Sequence, residues 1–65
     1  MSGQDPVEIS CEFRHQTDAA VLIYDGTKEV WIPKSQLADD VGDPAVGEFI
    51  EISIPEWLAE KQGLI

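Results

Sequence analysis

Cysteine, histidine and positive charge are scarce in this sequence, and each scarcity removes a class of protein. One cysteine, Cys11, leaves no partner for an internal disulfide, so nothing points to an oxidising compartment. One cysteine and one histidine cannot supply the four soft or imidazole ligands of a structural zinc site. Four basic residues against thirteen acidic ones leave no basic groove, so direct binding of nucleic acid is not expected. No run approaches the roughly 20 apolar residues of a membrane-spanning helix. There is no glycine-rich phosphate loop and no serine-nucleophile motif.

The one thiol and the one imidazole do not make a pair. Cys11 and His15 sit four residues apart, the first on a strand pattern and the second at the turn that follows it, and extended chain over that span separates them by roughly 13 Å. A nucleophile and its base must be within hydrogen-bond reach. Cys11 is read as a small buried hydrophobe and His15 as a solvated turn residue. A chain of 65 residues also rarely has volume to spare for a pocket that shifts carboxylate pKa values. The expectation is no enzyme, no catalytic residue, no cofactor and no metal. Asp39, Asp40, Asp43 and Glu48 could approach a calcium ion, but their spacing does not match an EF-hand loop.

What the chain does have is acid and patterned apolar residues. The formal charge is −9, and 43% of the residues are hydrophobic. Such a charge excess can mean disorder. Here the apolar residues fall in strand-like runs, which points to one folded domain over residues 7–65 behind a frayed tail, Met1–Pro6. MSGQDP has neither a basic region nor an apolar run, so it is not read as a signal peptide, and the cytoplasm is the simplest location. So small a domain buries only about 60% of its unfolded surface and is marginally stable. The charge keeps it soluble, repels nucleic acid and anionic lipid, and attracts basic surfaces.

Val7, Ile9, Cys11 and Phe13 alternate with Glu8, Ser10, Glu12 and Arg14, the period-two signature of a half-buried strand. HQTD, His15 to Asp18, reads as a turn. AAVLIY, Ala19–Tyr24, is apolar throughout and reads as a central strand covered on both faces. Asp25-Gly26 marks a hairpin into Glu29–Ile32, because glycine supplies the positive φ of a tight turn. In VWIPKSQ, Pro33 ends the strand, Ser35 caps a helical or 3₁₀ turn, Leu37 tucks inward, and Trp31 is assigned to the core beside Trp57 under the terminal helix. ADDVGDPAVGE is the longest loop and the expected mobile element. Ile50, Ile52 and Ile54 of a fourth strand, Glu48–Ile54, face one way, and Phe49, Glu51 and Ser53 the other. Ser53-Ile-Pro-Glu56 fits a capping box, and Gly63 a helix stop followed by a docked end. The order is β-β-β-turn-β-α: mainly β with a C-terminal helix, as a small antiparallel sheet or an open SH3-like or OB-like barrel.

VWIPKSQL and IPEWLAEKQGLI together resemble a group of very small acidic proteins found in phages and mobile elements of bacteria. The resemblance covers roughly Ala19 to Ile65. It implies a setting, a phage or prophage accessory protein in the host cytoplasm, and carries over no site residue. By analogy of setting and charge, it implies an inhibitor of a host protein, acting as a nucleic-acid mimic or an anti-CRISPR-like protein. The functional expectation is a protein-binding module that occupies a basic surface of its partner. Glu8 and Glu12 of the first strand, Asp39, Asp40 and Asp43 of the loop, and Glu48 and Glu51 of the fourth strand would meet lysines and arginines. Phe49 or a tryptophan would anchor the contact. The alternative is a small homo-oligomeric structural or assembly module joined through a strand edge, so monomer and homodimer both stay open. Solubility alone remains the plain explanation of the charge.

Overall fold

The computed structural model describes residues 5–65. Its elements follow the expected order: β1 (Pro6–Gln16), β2 (Ala20–Tyr24), β3 (Glu29–Pro33), a 3₁₀ turn (Lys34–Gln36), β4 (Phe49–Pro55) and α1 (Glu56–Lys61). The strands form one antiparallel sheet in the order β3-β2-β1-β4. The sheet is open, with β3 and β4 at its edges. The tail expected over residues 1–6 lies, for residues 1–4, outside the described residues. β1 already pairs at Pro6, opposite Pro55.

Period two places the core. Ile9, Cys11 and Phe13 of β1, Val21 and Ile23 of β2, Val30 and Ile32 of β3, and Ile52 and Ile54 of β4 are buried on one face. Leu58 and Ala59 of α1 close that face, helped by half-buried Leu37, Val41 and Leu64. Burying one such aliphatic side chain contributes about 1.5–3 kcal/mol, so this single layer is the main store of stability.

The hairpin signal holds in a four-residue form. Gly26 takes φ 101°, and Asp25 Oδ1 accepts from the N–H groups of Thr27 (2.7 Å) and Lys28 (2.8 Å). The helix stop is also as expected. Gly63 has φ 73°, its N–H donates to Glu60 O (3.1 Å), and the Leu64 N–H donates to Ala59 O (2.8 Å). That crossed pair is a Schellman motif, and Leu64 packs on the core while Ile65 stays 60% exposed.

Five local expectations are corrected, the last of them by a β-bulge. Ala19–Tyr24 is not covered on both faces: Val21 and Ile23 are buried, whereas Ala20, Leu22 and Tyr24 lie half-buried on the other side. Trp31 is not in the core, because alternation with buried Val30 and Ile32 turns it outward, 47% exposed. Trp57 lies on the helix across the sheet from it, 39% exposed. No capping box forms, since β4 runs through Ser53 to Pro55, which is itself the N-cap; the Glu56 N–H donates instead to Asp5 O (3.0 Å). Ser35 does not cap the 3₁₀ turn, which begins at Lys34 after Pro33 and has no side-chain cap.

The expected turn at His15 is displaced by a β-bulge. Phe13 pairs with Ile23, but His15 pairs with Leu22, leaving Arg14 as the extra residue. The insertion shifts the side-chain alternation by one, so His15 faces outward and Gln16 inward. The strand then runs on to Gln16, and Thr17 makes the turn, its Oγ1 accepting from the N–H of Ala20 (3.1 Å).

Candidate protein-binding surface

Paired residues of an antiparallel sheet share a face, so the register writes out the surface opposite the core. One row runs Glu29, Tyr24, Glu12, Phe49; the next runs Trp31, Leu22, His15. Ser10 lies beside Glu51, and Glu8 beside Ser53. No element covers this face among the described residues. Phe49 is 79% exposed there, and the Trp31 ring meets His15 edge-on at 6.4 Å and 84°.

Arg14 organises the middle of the face. Its guanidinium carbon lies 4.6 Å from the centre of the Tyr24 ring. Nη2 is 3.5 Å from Glu12 Oε2, and Nε is 3.9 Å from Glu29 Oε2. Nε is shielded from solvent and has no hydrogen-bond partner among the described residues. The bulge positions this side chain over the ring, where a cation–π contact contributes about 0.5–1 kcal/mol. It also neutralises charge locally, so the aromatic end of the face is less acidic than the end near Glu8 and Glu51.

The acidic residues expected to bind divide into two groups. Glu8, Glu51, Asp39 and Asp40 come together around one open pocket of about 250 Å³ at the β4 edge, with Val41, Ile52 and Ser53. No cation lines it, although Lys34 lines the adjoining groove with Asp39 and Asp40. The others do not join them. Glu12 is tied to Arg14, Glu48 Oε1 accepts from the Ala45 N–H (3.0 Å), and Asp43 is exposed in the loop. Asp40 Oδ1 accepts from the Gly42 N–H (3.3 Å). Among the described residues, no group of three or more metal-binding side chains is arranged to hold an ion.

The loop that carries these acids is fastened to the sheet at several points. Ala38 N–H donates to Ser53 O (2.9 Å), Gln16 Nε2 to Gly42 O (3.0 Å), and Gly47 N–H to Phe13 O (2.8 Å). Gln16 reaches it because the bulge turned that residue inward.

Two titratable groups are displaced. Burial pushes the Cys11 thiol up to about 11, so it stays a neutral core side chain. Backbone N–H groups of Lys28 and Thr27, with the Lys28 ammonium 3.1 Å from Oδ2, hold the half-buried Asp25 carboxyl down at about 2.

The sequence singled out Phe49 and marked His15 as solvated, but it placed Trp31 in the core and Leu22 and Tyr24 in a strand covered on both faces, and did not bring His15 to Trp31. The signal for Trp31 was present: Val30 and Ile32 flank it, and two inward residues force the one between them outward. His15 had no such signal, since only the bulge brings it to Trp31.

Fold and surface together define a class: a half-covered antiparallel sheet whose second face is open and bears aromatics among acids. Comparison with protein-family models, curated proteins and solved structures finds no match to the chain. No helix is long and apolar enough to cross a membrane among the described residues.

Proposed function

We propose that the protein is a non-enzymatic binding module that holds a basic, partly apolar surface of another protein against the open face of its sheet. The observation that carries this reading is the uncovered face itself. It leaves Trp31 and Phe49 exposed on paired strands with Glu8, Glu12, Glu29 and Glu51 around them. Aromatic anchors inside a polar rim are the usual anatomy of a protein interface. The net charge of −9 favours a cationic partner and disfavours nucleic acid and anionic lipid. On the resemblance of its WIPKSQ and IPEWLAEKQGL segments, the setting we propose is a phage or prophage accessory protein that blocks a host protein in the bacterial cytoplasm.

The test begins with capture of a partner from nuclease-treated bacterial lysate and its release by salt, since exposed charges beyond about 10 Å are screened at 0.1 M. The purified partner is then bound to variants. Trp31→Ser with Phe49→Ser is expected to lose binding while circular dichroism stays unchanged. Retention by that variant overturns the open-face reading. Loss only with Asp39→Lys, Asp40→Lys and Asp43→Lys moves the contact to the loop.

A homo-oligomeric assembly module is the second reading, supported by the free edge of β3. Light scattering at micromolar concentration tests it, and a mass near twice the monomer's favours it.

A further inference from the structure

Resting on the binding-module reading, we infer that β4 accepts an extended basic segment of the partner as a fifth strand. β4 is an edge, and its outer side is nearly unused. Ser53 turns its carbonyl away from β1 to the Ala38 N–H (2.9 Å). Bonding direction alternates along an antiparallel strand, so Phe49 and Glu51 present their N–H and C=O groups to that same side. Neither has a backbone partner there among the described residues. Pro55, the one proline of β4, sits at its end, past the stretch from Phe49 to Ser53.

The side chains beside the edge specify the occupant by charge. The pocket of about 250 Å³ opens alongside Glu51 and Ser53, between Glu8 on one side and Asp39 and Asp40 on the other. Alternate side chains of an added strand point to one face, so a segment with lysine or arginine at every second position puts its cations into that pocket. Main-chain bonds supply affinity and the carboxylates supply specificity. A second copy of this chain is a poor occupant, because it brings another charge of −9 to an edge already guarded by Glu51. The same charge that rejects a copy admits a basic strand. The β3 edge is the inferior acceptor because it is shorter: only Glu29 and Trp31 present outward N–H groups before its own terminal proline, Pro33, against Phe49, Glu51 and Ser53 on β4.

The probe is a short peptide alternating lysine with valine, added to the full chain at low salt. Amide hydrogen exchange is read at Phe49, Glu51 and Ser53. Binding is expected to slow exchange at these amides, to weaken about tenfold on Glu8→Lys or Glu51→Lys, and to vanish when the peptide's edge-facing amides are N-methylated. A glutamate-valine peptide is expected not to bind. No binding of the lysine-valine peptide overturns the proposal. So does binding that leaves Glu51 exchange unchanged, or that survives N-methylation. Binding that perturbs Trp31 and Leu22 instead sinks the added strand but keeps the open-face module. Failure of the module itself is read separately, by a captured partner indifferent to Trp31→Ser with Phe49→Ser.

Discussion

The two faces of this sheet are made by the same strands and differ in what lies over them. The inner face is a continuous aliphatic layer, with Ile23, Ile32, Ile54 and Val21 fully buried beneath α1 and the loop. The outer face mixes Trp31, Tyr24, Leu22 and Phe49 with four glutamates, Arg14 and His15, and has no second layer among the described residues. The difference teaches that one helix and one loop suffice to stabilise so small a domain, which frees the other face from core duty. Residues there answer to a partner or to solvent, not to packing density.

The largest expected effect falls on the inner face. Ile23→Ala or Ile32→Ala should cost about 2–5 kcal/mol, through lost transfer energy and an unfilled cavity. Total stability at about 0.05–0.15 kcal/mol per residue is of the same order, so thermal melts should show largely unfolded protein. Trp31→Ala on the outer face should cost no more than about 1 kcal/mol, in the range of a cross-strand pair. Equal losses from the two substitutions would erase the contrast between the faces.

A smaller effect separates the helix end from the sheet. Gly63→Ala forces a side chain into φ 73° and brings its Cβ to 3.3 Å from Lys28 Nζ. A destabilisation of about 1–2 kcal/mol is expected in chemical unfolding. Arg14→Ala should cost about 0.5–1 kcal/mol, through the Tyr24 contact, with little added by its long, partly solvated ion pairs at 3.5 and 3.9 Å. A clearly greater loss would mean that the outer face carries a core of its own.

The smallest effect is a pH dependence. The folded Asp25 carboxyl titrates at about 2, below its ordinary 3.8. Its contribution is therefore present above pH 3.8 and is lost as pH falls towards 2. Asp25→Asn should flatten the acid limb of stability between those values, and an unchanged limb would place the linkage elsewhere.

Much of this was legible along the chain. Alternation in VEISCEF and EFIEISI gave both long strands and their buried faces, because a period of two admits one sheet face at a time. Asp25-Gly26 and Gly63 marked the hairpin and the helix stop, since both places require positive φ. AAVLIY misled, because an unbroken apolar run contains no information on whether one layer or two cover it. Ser53 misled because a capping box is a local pattern, and a strand that continues to Pro55 overrides it.

Local chemistry thus determined the element order, the antiparallel sheet with a C-terminal helix, the buried thiol and the acidic character of the surface. Only the tertiary structure decided which face stays open, that Arg14 is the bulged residue over Tyr24, and that Glu8, Asp39, Asp40 and Glu51 meet at the β4 edge. The reason is distance along the chain. Strand periodicity and glycine turns act over a few residues, whereas a shared pocket and an uncovered face depend on where the loop and helix come to rest.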